Sequence, residues 1–253
     1  AEVARAAGIT GSDGLFVAYR PESDDSQIVA AAVARTAPRV LLVPEFPSTV
    51  GSAVYAAKEA VGFQRATHNR LGWAIAPGID PDDSARTAEF LHVARGVHGH
   101  KPFDHEGRFF EVKGGGFSDP LARAAFPPVF LQGAEEEAPQ LSANAADIHL
   151  FADAPLDELR GQVETLERLA LAAGREVAAG VLVTITARET DAEATGRTGI
   201  AGSYDSVAER IATPQAAGIT HFVLSASPSL EEAYRIGQFV LPRVRAGQLR
   251  TAA

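Results

Sequence analysis

The feature that most constrains the fold is a regular alternation between short apolar runs and longer stretches with helical periodicity. The apolar runs are residues 14–19 (GLFVAY), 39–46 (RVLLVPEF), 70–76 (RLGWAIA), 128–131 (PVFL), 147–151 (DIHLF), 180–187 (GVLVTITA) and 221–225 (HFVLS). Helical patterns occupy residues 27–37, 54–66, 84–97, 135–145, 156–173, 206–217 and 230–245, and another, residues 1–7, precedes the first run. Nearly continuous apolar strands separated by helices imply a parallel sheet covered by those helices. Seven strands with a helix before the first predict an α/β fold, a (β/α)8 TIM-type barrel whose first strand lies upstream of Ala1. An open doubly wound sheet is the competing arrangement.

The length of 253 residues suits one barrel domain over residues 1–253. Residues 103–113 (FDHEGRFFEVK) are expected to form a β-hairpin insertion with Glu106-Gly107 at its turn. No tract is long enough to divide domains, and the Gly114, Gly115, Gly116 triplet reads as a loop. Methionine is absent, even at residue 1, and the chain opens inside a helical pattern, which leads us to expect residues beyond those in the sequence.

Composition removes several function classes. With 46% hydrophobic and 22% charged residues, a large core is available. A net charge of −9 disfavours nucleic acid and anionic membranes, which both need basic patches. The absence of cysteine excludes disulfides and thiolate chemistry. No apolar run reaches membrane-spanning length and no leader pattern opens the chain, so a cytoplasmic location is expected. GxSxG, GxxxxGK[ST], HExxH and a strand-borne GxGxxG are all missing. His98, His100 and His105 cluster in sequence, but they lack helical spacing and read as a solvated loop, so no metal is expected.

Two segments carry a family resemblance. The first runs from FDHEGRFFEV through FPPVFLQGAEEEAPQLSANAADIHLF: a hairpin, a strand after Pro-Pro, a glycine turn into a helix, and Ala-Asp into the next strand. The second is the terminal stretch IAGSYDSVAERIATPQAAGITHFVLSASPSLEEAYRIGQFVLPRVR. In combination they resemble the bacterial luciferase-like monooxygenases, nearest the alkanesulfonate monooxygenase branch. The resemblance implies a flavin-dependent monooxygenase. It would use O2 and reduced FMN supplied by a separate flavin reductase, act on a small organic substrate, and form a homodimer or higher oligomer. Alanine-rich surfaces on residues 30–34 and 54–60 could serve the oligomer. A deazaflavin in place of FMN is a further reading.

A barrel of this kind places its site at the carboxyl ends of the strands. Trp73, Ala76, Pro77, Gly78, Gly133, Ala134 and Glu135 are therefore the expected cofactor-binding positions, and Ser23, Glu45, His149, Thr184 and Ser227 the expected substrate pocket. Glu45 ends an apolar strand, where a carboxylate is costly unless paired, so a functional role competes with a salt bridge. His149 sits mid-strand, as an acid/base group or a satisfied core histidine. Trp73 could wall a ring-binding pocket or fill the core.

The sequence also departs from the family. The turn that holds the flavin phosphate in the family offers hydroxyls, but here it reads Gly133-Ala134-Glu135-Glu136-Glu137. Carboxylates suit the helix start but oppose a phosphate: one like-charge pair at ~4 Å costs about 4 kcal/mol before screening. By alignment with the alkanesulfonate branch, a cysteine is replaced by Ser23, an arginine and a histidine by Leu182 and Thr184, a tyrosine by Ser227, and flavin-proximal polar residues by Ala74 and Pro77. No fixed cation for a sulfonate remains among these positions. The lid insertion also shrinks to about a dozen residues, 191–202. These departures frame the alternative reading, a catalytically degraded family member acting as a structural or regulatory subunit.

Overall fold

Among the described residues, seven parallel strands form the backbone of the molecule, in the spatial order first, second, third, sixth, seventh, eighth and tenth of the chain's strands. The computed structural model describes residues 1–78, 80–133, 137–196 and 199–251. The strands are β1 (Gly14–Val17), β2 (Leu41–Phe46), β3 (Trp73–Ile75), β6 (Val129–Gln132), β7 (Ile148–Ala152), β8 (Ala178–Arg188) and β10 (Ile219–Ser225). β4 (Phe103–Glu106) and β5 (Glu111–Gly115) make a separate antiparallel hairpin, and β9 (Ile200–Ser203) pairs with the outer half of β8.

Every crossover between neighbouring strands of the main sheet carries a helix. These are α2 (Ser26–Val33), α3 (Ala53–Thr67), α4 (Asp83–His98), α5 (Ala138–Ala145), α6 (Leu156–Ala172) and α8 (Tyr204–Ala212). α1 (Glu2–Thr10) precedes β1 and packs on α9 (Ser229–Arg235), which runs through a π-helical segment, Ile236–Val240, into α10 (Leu241–Thr251). α7 (Asp191–Ala194) is a single turn between β8 and β9.

Side chains alternate along each strand, and the two sets meet different partners. One set packs under the helices: Trp73, Ile75, Val129 and Leu131 meet α3 and α4, while Val181, Val183 and Ile185 meet α6 and α8. The other set gathers on itself. Val43, Ala74, Phe130, Ile148 and Leu150 form one cluster, joined by Phe16 from β1 and Val223 from β10. Residues from both edge strands reach the same cluster, so the sheet curves around a concave interior. β1 and β10 are the two edges of this array.

The expected strands all form, with shifted ends. β8 is longer than its apolar run and ends at Arg188, because β9 pairs with it in parallel register from Ile185↔Ile200 to Arg188↔Ser203. That short strand lies where the sequence predicts only a shortened lid. The hairpin turn covers 107–110, closed by the Gly107 N–H donating to the Phe110 carbonyl. The alanine-rich faces of α2 and α3 pack inward: Ala30, Ala57 and Ala60 are buried on the protein's own sheet. Ile28 and Tyr55 are the large apolar side chains these helices expose.

Two charged side chains tie successive units together. Arg70 donates from its guanidinium to the carbonyls of Thr67, Ala37, Val40 and Ala34, at 3.0, 2.8, 3.0 and 2.9 Å. It thereby joins the end of α3 to the α2–β2 connection. Glu232, buried in α9, accepts ion pairs from Arg188 at 2.8 Å and Arg235 at 2.7 Å, fastening the end of β8 to the last helix. Among the described residues no helix is long and apolar enough to cross a membrane.

Replacing Arg70 by Met keeps the aliphatic stem but leaves these carbonyls without their donor. Loss of a charged, part-buried donor of this kind costs roughly 2–3 kcal/mol. The R70M variant should therefore unfold at a lower urea concentration with an unchanged m-value, and R70K should restore little of the loss, because an ammonium cannot reproduce the planar fork.

Candidate active site

Four expected pocket residues lie at the carboxyl ends of the strands or on the loops that follow. Ser23 is on the β1–α2 loop, Glu45 near the end of β2, Thr184 on β8, and Ser227 beyond β10, where it precedes a cis proline, Pro228. Thr184 and Ser225 share a hydroxyl–hydroxyl hydrogen bond of 2.9 Å between β8 and β10. Ser23 and Ser227 are exposed.

Glu45 is 5% exposed and points to the concave side of the sheet, in the same set as Val43. It meets no cation. One carboxylate oxygen accepts the Tyr19 backbone N–H at 2.8 Å, and the other accepts the side-chain amide of Gln132. Burial raises the Glu45 pKa above the usual carboxylate range, and these hydrogen bonds only partly oppose it. Of the two expected readings, a functional role or a salt bridge, no salt bridge forms among the described residues; the carboxylate sits in a hydrogen-bond network.

Gln132 leads to an opening at the strand ends. A cavity of about 500 Å3 lies over the carboxyl ends of β3 and β6, against the first turns of α4 and α5. Its apolar wall comes from Ile75, Ala76, Pro77, Leu131, Ala138 and Leu141, and Gly78 lines it as well. Its polar groups are Ser84, Thr87 and Gln132, with the carboxylates of Asp80, Asp83 and Glu137. No Lys or Arg side chain is among the described lining residues. Gly78 is required by close approach: a Cβ there would fall 1.8 Å from the Asp83 carboxylate, which turns back to accept the Asp80 N–H.

Three of the expected cofactor positions, Ala76, Pro77 and Gly78, line this cavity. Gly133 adjoins it in sequence after Gln132, and Ala134, Glu135 and Glu136 lie outside the described residues. Two candidates lie elsewhere. Trp73 is fully buried beside Phe46, Phe90 and Phe126 and, unlike Ile75 two residues on, is not among the described lining residues of the cavity. His149 is also fully buried and helix-facing: its Nδ1 pairs with Ser142 of α5 at 2.7 Å, and Phe151 packs on its ring. In both cases strand alternation sends the side chain outward.

The histidines of the sequence cluster disperse. His98 binds the Ala124 carbonyl, His100 pairs with Asp119, and His105 pairs with Glu89. Among the described residues no group of three or more His, Cys, Asp or Glu side chains is arranged to hold a metal. Glu89 itself was not anticipated from the sequence. It accepts the backbone N–H groups of Arg108, Phe109 and Phe110 and so fixes the hairpin turn to α4. Burial alone would raise its pKa, but the amides of Phe110 and Phe109 together with His105 lower it. Gly107 is needed there because a Cβ would meet the Glu89 carboxylate at 2.0 Å.

Residues 1–198 match the profile of the family described as luciferase-like monooxygenase. This chain belongs to the luciferase-like monooxygenase family. Solved structures share its fold at low identity. EDTA monooxygenase from Chelativorans sp. BNC1 is 16% identical with a TM-score of 0.83, over 97% of this chain and 85% of that one. An F420-dependent secondary alcohol dehydrogenase is 16% identical with a TM-score of 0.81, over 96% and 94% of the two chains. The oxygenating constituent of 3,6-diketocamphane monooxygenase from Pseudomonas putida, in complex with FMN, is 16% identical with a TM-score of 0.78, over 96% and 92%. The TIM-type barrel expected from strand alternation is therefore the fold of this luciferase-like protein. The match is to the family as a whole and does not single out the alkanesulfonate branch.

His149 makes a prediction about stability. Burial lowers its pKa from the ordinary 6.5 to about 4, so the native state holds it neutral. Its contribution is complete above pH 6.5, where folded and unfolded states are both deprotonated, and is lost as pH falls toward 4, where only the unfolded chain takes the proton. From pH 8 to pH 5 the unfolding free energy should drop by about 2 kcal/mol on this account. Urea titrations at both pH values should show a smaller drop in H149F, whatever that variant's stability at pH 8.

Proposed function

We propose that this chain is a flavin-dependent monooxygenase that uses reduced FMN and O2 to oxygenate a small organic substrate. The observation that carries the reading is the cavity at the carboxyl ends of β3 and β6 in a chain of the luciferase-like family. Its volume lies within the range of ligand pockets, and its mainly apolar wall with a few polar groups suits a flat tricyclic ring. When bound, reduced flavin supplies the oxygen-activating chemistry. The protein's part is to hold the ring, exclude water and orient the substrate.

Ala76, Pro77 and Gly78 would contact one edge of the ring, with Gln132 and Gly133 on the other. Ser23, Glu45, Thr184 and Ser227 stand toward the mouth of the barrel, where the substrate would approach. The phosphate end fits less well. The described lining has carboxylates and no cation, and Glu135 and Glu136 add two more acidic residues to the turn by sequence. The ring supplies the affinity, and the phosphate subtracts from it. A separate flavin reductase would deliver the reduced cofactor, and Ile28 and Tyr55 provide an apolar surface on α2 and α3 for a homodimer.

Fluorescence titration tests the reading. Riboflavin and FMN should both bind in the micromolar range, with riboflavin the tighter. The double substitution E135S/E136S should strengthen FMN about tenfold, roughly 1.4 kcal/mol, and leave riboflavin unchanged. Absence of binding by either flavin at ~1 mM, weaker than about −4 kcal/mol, would overturn the proposal in favour of a degraded family member serving as a partner subunit.

A further inference from the structure

Among the described residues, Gln132 is the side chain that joins the cavity to the buried carboxylate of the barrel interior. Glu45 and Gln132 sit on β2 and β6, with β3 between them. On the concave side β3 presents only Ala74, with Ala76 just beyond its end, and these small side chains leave room for the amide to cross.

The chemistry of the pair fixes the direction of that amide. An ionised carboxylate accepts hydrogen bonds and donates none. The NH2 end of Gln132 must therefore face Glu45, and the carbonyl Oε1 is left for whatever enters the cavity. A glutamine on an open wall can present either end. Here the reversed orientation would set Oε1 against a carboxylate oxygen and remove a donor from a buried acceptor. Among the described residues, the elements packed on β2 offer no competing charge. The β1–α2 loop contributes the Tyr19 backbone N–H, α2 the Ser26 hydroxyl on the Glu45 carbonyl, β3 and the residue after it two alanines, and β6 Gln132 itself.

We infer that Gln132 is the specificity-determining side chain of the cavity, locked by Glu45 so that its carbonyl accepts a hydrogen bond from a ring N–H of the ligand. The inference rests on the proposed flavin site. The N–H in question is the flavin imide, the one that lies between the two carbonyls of the pyrimidine ring. Glu45 acts as a positioning residue. Once protonated it becomes a donor, the amide turns over, and the cavity meets NH2 in place of C=O. Burial brings this reversal to a higher pH than an exposed carboxyl would.

Lumiflavin and N3-methyl-lumiflavin test this, because neither carries a phosphate and they differ only at the imide. In fluorescence titrations of the full chain at pH 8, lumiflavin should bind at least tenfold tighter than the methyl derivative. Q132M should bind both equally. The wild-type preference should shrink as pH is lowered, while E45Q should show a weak preference with no pH step. Far-UV circular dichroism checks the fold of each variant, and should E45Q not fold, Q132M decides alone. Equal binding of the two flavins by the wild type, or an undiminished preference in Q132M, overturns the inference and leaves the flavin site standing. Failure of both flavins to bind overturns the two together.

Discussion

Each strand of this sheet has to satisfy two unlike environments at once, and the molecule is organised by that demand. Residues on one side of a strand must pack under a helix, and residues on the other must meet their counterparts across the concave interior. Val43, Ala74, Phe130 and Ile148 answer the second demand, and Trp73, Val129 and Ile185 the first. The barrel mouth exists because the concave set turns polar or small near the strand ends, at Glu45, Ala76, Gln132 and Thr184. Apolar burial thus gives way to hydrogen bonding within one or two residues.

The fold was legible in the sequence to the extent that it rests on this alternation. Every apolar run became a strand, because a buried parallel strand needs apolar residues on both faces. What the runs could not show was which face each residue takes. Trp73 and His149 look like pocket residues on polarity and size, yet the parity of their positions turns them toward α4 and α5. Gln132 was overlooked for a related reason: it follows the apolar run PVFL directly and reads as the first residue of a turn, whereas β6 includes it and aims it inward. A polar residue in step with the concave set is the signal that would have found it.

Elements held by distant partners were also illegible. β9 is a strand because the extended end of β8 gives it a ladder, and nothing local in IAGS announces this. Glu89 is one acidic residue in a charged helix until the hairpin brings its turn amides into reach. Charge, by contrast, was readable early. The acidic run after β6 and the lining carboxylates Asp80, Asp83 and Glu137 agree in sign. They give the mouth a field that disfavours anions, while the apolar wall still accommodates an uncharged ring.

The grip of Glu89 on the hairpin has a mechanical side. A single carboxylate in α4 splints the amides at the tip of a two-stranded arm, and the same helix begins at the cavity wall with Asp83, Ser84 and Thr87. Arm and wall are therefore parts of one lever. The tip of the arm also stands beside that wall, because Arg108 in its turn pairs with Asp82, between the lining residues Pro81 and Asp83.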